Sequence, residues 1–216
     1  MSTERPAFSD TLFIDLETGP LPLEELEAQM PTFEAPGNYK KPEAIAENIA
    51  EQKSKWIEKA ALNPFSAQIL CVGWMKASDM QFNYIDGNGS EAELLKHLAL
   101  VTSNPAHRIV WFGGFGFDIK MAQQRAWKHG VTPIEDWTFD PFRQSRHLDI
   151  KSILEGRKPE RMISLDQAGK HFLGRGKNGS GGDFAAKWAE DRPASLRYLE
   201  NDVRLIAEIA KKMNVV

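Results

Sequence analysis

The sequence predicts an α/β fold in which a mixed β-sheet is flanked by helices. Two observations carry the prediction. Short apolar runs of strand length alternate with longer segments of helical period, and glycine and proline clusters separate them. The order is three strands, a helix, a strand, a helix, a short strand and then helices, an alternation that packs helices on a sheet. A long insert, 21–62, interrupts this order after the first strand.

Residues 11–18 alternate as a strand does and are closed by Gly19-Pro20. The runs ILCVGWMK (69–76) and QFNYID (81–86) are the second and third strands, the latter ending at Gly87-Asn88-Gly89. Ser90, with Glu93 three residues on, caps a helix over 91–102. RIVWF (108–112) is a buried strand, and after the glycines of 113–116 a helix over 117–129 stops at Gly130. Residues 147–150 are short and strand-like. Ser164 caps a helix to about Phe172, and Pro193 opens the last helix, which runs to about Met213.

Two segments lie outside this scheme. Within the insert, 42–62 is helical, with Ile45, Ile49, Trp56 and Ala60 on one stripe. It is expected to pack on the domain edge, with a flap over a substrate as the alternative. The second segment, GRGKNGSGGD (174–183), is a flexible loop by composition. Neither it nor the GGFG at Gly113 has the strand-before, helix-after context of a phosphate-binding loop, so neither argues for a nucleotide cofactor.

The 216 residues fit one domain, 1–216, better than two. No apolar run nears the ~20 residues of a membrane helix, so no membrane span is expected. MSTERPAFSD has no apolar signal core, and the single Cys71 has no internal partner for a disulfide, which together indicate a cytoplasmic setting. A net charge of −3 argues against purely electrostatic nucleic-acid binding. From 143 to 177, however, nine Lys and Arg stand against four Asp and Glu. A solvated face is the default reading of such a stretch, and a phosphate track is the alternative.

The chemistry lies in the carboxylates. In LFIDLET, alternation puts Leu12, Ile14 and Leu16 on one face and Phe13, Asp15 and Glu17 on the other. Two carboxylates on one strand face repel each other unless a cation sits between them, although a strand end in solvent tolerates them too. Tyr198 and Asp202 are four apart on one face of the last helix, where a surface hydrogen bond is the plainer explanation. Asp118 begins a helix, a position the macrodipole favours without any function. Taken together, Asp15, Glu17, Asp118 and Asp202 come from three segments that can converge at one sheet edge. Hard oxygen ligands suit Mg²⁺ or Mn²⁺, and the chain lacks the cysteines and histidine spacing of a zinc site. Asp149 in HLDI is expected to cap the helix after it. The histidines show no pair at ligand spacing, and Cys71 has no evident catalytic partner.

The set Asp15-x-Glu17, Phe117-Asp118 and Tyr198-x-x-x-Asp202 resembles the DEDD superfamily of 3′→5′ exonucleases, and the tyrosine points to its DEDDy subgroup. NPFSAQILCVGW, FDIKMAQQRAWKHGV, HLDI and SLDQAGKHFLG are similar to stand-alone exonucleases related to the proofreading domain of family B DNA polymerases. The resemblance runs from about Thr11 to Met213 and implies a ribonuclease-H-like fold, with which the element order agrees. It implies two metal ions, Mg²⁺ or Mn²⁺. Asp15, Glu17 and Asp202 would hold the one that activates water, and Asp15, with Asp118 acting through bound water, the one that stabilises the leaving 3′ oxygen. Tyr198 would orient the water, since a phenol near pKa 10 is a weak base at neutral pH.

The implied partner is nucleic acid, DNA before RNA and single-stranded 3′ ends before duplex, with nucleoside 5′-monophosphates released. A replication or repair partner is conceivable on the same grounds but has no sequence signature. The alternatives are an exoribonuclease with the same site and a silent nucleic-acid-binding module, against which the intact carboxylates count. Relatives commonly carry an asparagine shortly before the third carboxylate, where this chain has Gly113 and Gly114; this puts placement of the terminal base in doubt. Thr18, Gly114 and Phe115 are the candidate substrate contacts; Phe115 and Phe117 could each stack on the terminal base, with the core the expected place for Phe117 and an equal alternative for Phe115.

Overall fold

The computed structural model describes residues 8–87, 89–132, 146–156, 162–179 and 181–216. Five strands form one sheet: β1 (Asp10–Pro20), β2 (Ala67–Lys76), β3 (Phe82–Asp86), β4 (His107–Trp111) and β5 (His147–Asp149). Their order across the sheet is β3-β2-β1-β4-β5, with β1–β2 and β2–β3 antiparallel and β1–β4 and β4–β5 parallel. The helices are α1 (Leu23–Glu27), α2 (Pro42–Ala60), α3 (Glu91–Val101), α4 (Asp118–Lys128), α5 (Ile150–Glu155), α6 (Leu165–Leu173), α7 (Phe184–Glu190) and α8 (Arg192–Lys212).

β1 is central because both of its faces are apolar from Leu12 to Ile14. Leu12, Ile14 and Leu16 join the core beneath α3 and α4, whereas Phe13 joins Leu199, Val203 and Ile206 of α8 on the other face. The alternation expected of LFIDLET holds, but the strand continues through Gly19-Pro20 rather than ending there. Gln68 and Ala67 pair with those two residues, where the ladder ends. α3 is tied to α4 by a buried ion pair in which Arg125 donates to both oxygens of Glu91, and Glu91 Oε1 also accepts the Ile69 N–H at 2.8 Å. That satisfies a charge that burial would otherwise penalise.

Ser90 and Ser164 cap their helices as expected, the latter in a full capping box with Gln167. Two helices have no clear sequence signal. α1 and α7 have 5 and 7 residues, too few to display a helical period. The described cations of the basic stretch are engaged: Arg146 donates to the carbonyls of Thr102 and Asn104, Lys151 pairs with Glu155, Lys170 with Asp166, Arg175 with Glu208 and Lys177 with Asp202. These residues therefore form no open phosphate track; the rest of that stretch lies outside the described residues. Among the described residues no helix is long and apolar enough to cross a membrane.

Candidate active site

The cleft originates in the unequal lengths of β1 and β4. Their parallel pairing ends at Phe13 and Val110, and β4 stops one residue later at Trp111. β1 runs on alone on that side and carries Asp15 and Glu17 past the end of its neighbour. Ligand sites in open α/β sheets form at such strand ends. A register shift between Glu17 and Thr18 in the β1–β2 ladder lies beside this acidic pair. Bulges of this kind re-aim side chains next to functional sites.

α8 brings the third carboxylate. Asp202 is completely buried, on the helix face that packs against β1 and β2. Carboxylate oxygens of Asp15, Glu17 and Asp202 lie within 4.8 Å of one another. Asp118 is buried at the first position of α4 and stands apart from this trio, yet close enough for the Asp15 charge to raise its pKa. Burial, then the Asp202 charge, lifts Asp15 to about 7. Glu17 and Asp118 are held well above the usual carboxylate range by burial first and neighbouring carboxylates second. Asp202 is raised by burial as well, with Lys177 opposing. A divalent cation fits this set: the donors are hard oxygens, their charges repel, and Asp202 Oδ1 is buried without a hydrogen-bond partner.

Sequence reasoning missed Lys177. Its ammonium lies 2.5 Å from Asp202 Oδ2 and 4.8 Å from the centroid of the Tyr198 ring. Burial opposes its charge, but Asp202 and Asp15 outweigh that, and the pKa stays above the ordinary lysine range. The only available signal was a lysine within a glycine-rich run, which composition alone reads as linker. That run is held in place: the Lys177 N–H donates to Asp166 Oδ1 at 3.1 Å. It also covers the tyrosine, since a Cβ at Gly179 would sit 3.0 Å from the Tyr198 ring. Burial first, then Asp202, raises the Tyr198 hydroxyl pKa, so it keeps its proton at neutral pH.

The substrate-contact candidates fare differently. Phe115 is 8 % exposed and belongs to the core, its N–H donating to Asp149 Oδ2 at 3.1 Å, so it is no free wedge. Phe117, expected in the core, is half-buried and lines the cavity beside Glu17. Phe117 also packs against the core cluster, and the turn that carries the two aromatics is tight at Gly114, where a Cβ would lie 2.6 Å from the Trp111 side chain. Gly114 thus serves packing. Thr18 lines the same cavity, but its hydroxyl donates to the Ala61 carbonyl at 2.7 Å. Asp149 caps α5 as expected and also accepts the Gly113 N–H at 2.7 Å, fastening the turn that leads to Asp118.

Among solved structures the chain resembles the family B DNA polymerase of the hyperthermophilic archaeon Pyrobaculum calidifontis, with a TM-score of 0.62 and 15% identity. The match covers 94% of this chain but 24% of the polymerase, so the chain spans about a quarter of that protein's length. A second structure, described as the apo form of a nuclease, matches with a TM-score of 0.52 and 18% identity over 96% of this chain and 73% of that one. Both likenesses concern the fold, a helix-flanked mixed sheet consistent with the ribonuclease-H-like class. No curated protein sequence matches. A family model described as a predicted 3′–5′ exonuclease related to the exonuclease domain of PolB matches residues 63–204, a span that contains Asp118, Lys177, Tyr198 and Asp202. The chain belongs to this family of 3′–5′ exonucleases.

Proposed function

We propose that the chain removes nucleotides one at a time from the 3′ end of DNA, preferably single-stranded, and releases nucleoside 5′-monophosphates. The observation that carries this reading is the meeting of Asp15 and Glu17 from β1 with Asp202 from α8, their oxygens within 4.8 Å. Asp15, Glu17 and Asp202 would hold one Mg²⁺ or Mn²⁺, and Asp15 with Asp118 a second. Bound there, the ions would supply Lewis-acid activation of water and neutralise charge developing on the phosphoryl oxygens.

The remaining work falls to the protein. The raised carboxyl pKa values mean that protons must leave before cations bind, so activity rises with pH. Tyr198, protonated at neutral pH, would hold the attacking water in line by hydrogen bonding rather than remove its proton. The Lys177 ammonium, already within the cleft, would reach the non-bridging oxygens of the scissile phosphate.

The same site would accept RNA, so the test uses matched oligonucleotides. Single-stranded DNA and RNA of one sequence, labelled at the 5′ end, are incubated with Mg²⁺, Mn²⁺ or EDTA. The expected result is a metal-dependent ladder shortening from the 3′ end, faster on DNA. Faster loss of RNA would reassign the substrate, and no cleavage by folded protein would end the proposal.

A further inference from the structure

Two large aromatic side chains stand in solvent on one side of the molecule. Phe65 is 72 % exposed and Trp127 61 % exposed, and both line a cavity of about 660 Å³ together with Pro64, Gln124, Lys128 and Gln29. Rings of this size are ordinarily covered, so two that share one exposed cavity mark a binding surface.

The surface is rigid. The loop 61–66, which follows α2, is held by three bonds. The Thr18 hydroxyl donates to the Ala61 carbonyl at 2.7 Å, the Ser66 hydroxyl to the Ala60 carbonyl at 3.0 Å and the Arg125 guanidinium to the Pro64 carbonyl at 3.3 Å. Arg125 is itself fixed in α4 by its buried pair with Glu91. Phe65 on the loop and Trp127 on α4 therefore keep their places relative to each other. The end of the insert is a fixed wall rather than a swinging flap.

The same two elements border the carboxylates. Leu62 of the loop and Phe117, just before α4, flank the cleft at Glu17. From Leu62 the loop reaches Phe65 in three residues, while α4 carries Lys120, Gln124 and Trp127 along one face. At about 1.5 Å per residue, Trp127 stands about 14 Å along the helix from Asp118. That is the length of about four nucleotides of a strand at its stacked spacing of about 3.4 Å.

We propose that Phe65 and Trp127 form a stacking platform for the single-stranded part of the substrate, about four nucleotides to the 5′ side of the scissile bond. The inference takes its strand from the exonuclease reading. The chemistry around the rings favours nucleic acid over an apolar protein surface. Exposed Lys120 and Lys128 supply positive charge, and Gln29 and Gln124 supply amides. Lys128 lies 3.2 Å from Glu25, an exposed pairing that a phosphate can displace. Aromatics interleaved with cations hold single strands whatever their sequence.

The test uses the full chain. Binding of a fluorescent thymidine dodecamer is measured in EDTA, and cleavage of a 5′-labelled thymidine dinucleotide and dodecamer in Mn²⁺. Trp127→Ala and Phe65→Ala, with folding checked by melting curves, should each weaken dodecamer binding about tenfold, the size of one stacking contact. Wild type should prefer the dodecamer in kcat/KM, because the dinucleotide is too short to reach the platform. That preference should fall about tenfold in each variant, through KM. Trp127→Phe, which keeps a ring, should retain most of both. Unchanged dodecamer binding in both alanine variants, or an unchanged length preference in both, would overturn the platform and leave the patch to a protein partner. Cleavage of neither strand by folded wild type, with dodecamer binding still lost in Trp127→Ala, would overturn the exonuclease reading and leave the platform standing.

Discussion

Lys177 Nζ lies 2.5 Å from Asp202 Oδ2, which makes a loop lysine the counter-charge to a carboxylate that is completely buried on α8. The pair joins the glycine-rich loop to the helix and draws a cation into a cluster whose members otherwise repel one another.

Lys177→Met should therefore destabilise the chain in EDTA. Removing one partner of a buried ion pair costs about 3 kcal/mol, and the loss should shrink as pH falls, because burial raises the Asp202 pKa and favours its protonation. Urea unfolding at pH 8 and pH 5 measures it. Equal stability of variant and wild type at pH 8 would remove the pairing from the account.

Tyr198→Phe should behave in the opposite way. The hydroxyl is buried without a well-formed hydrogen bond, so its loss should leave the melting temperature nearly unchanged. Hydrolysis should slow by about a hundredfold, the lower range for loss of a group that manages a proton or a water. A single-turnover rate equal to that of wild type would exclude the phenol from the mechanism.

Asp149→Ala should damage the site from a distance. Its carboxylate accepts the N–H groups of Gly113 and Phe115 in the turn before Asp118, and those of Lys151 and Ser152 in α5. Leaving these donors unpaired costs about 3 kcal/mol or more. Activity should fall with stability and recover partly in Asp149→Asn, which keeps an acceptor. A variant as stable and active as wild type would show that the turn holds itself.

The pH dependence has a definite sign. Asp15 is raised from 3.8 to about 7 in the folded chain, so between those values the folded state binds the extra proton. Its contribution to stability is full below pH ~4 and is lost as pH rises through 7. In EDTA this group should lower the melting temperature across that window. Mn²⁺ competes with the protons, so the stabilisation it confers should grow from pH 5.5 to pH 8. A Mn²⁺ effect that shrinks with pH would contradict the carboxylate site.

Much of this was legible from residue pattern. The alternation of LFIDLET placed Asp15 and Glu17 on one face, and the four-residue interval of Tyr198 and Asp202 placed them on one side of α8. Distances between segments were not legible, because convergence depends on where β4 ends against β1 and how closely α8 packs. Lys177 escaped notice because a glycine-rich loop carries no period and its lysine gains meaning only from the buried Asp202. Phe115 stayed open between core and wedge because a glycine turn conceals which of two alternate aromatics is the more buried. The insert looked peripheral, since its stripe showed that α2 packs but not that its end reaches the strand carrying Glu17.

The most direct test of the central claim is hydrolysis of a 5′-labelled single-stranded DNA by Asp15→Asn and Asp202→Asn in saturating Mn²⁺, with melting curves to confirm folding. The account predicts that both variants fold and that each loses at least about a thousandfold in rate, the ladder from the 3′ end vanishing with the carboxylate. Wild-type rates in either folded variant would contradict it and place the chemistry elsewhere in the chain.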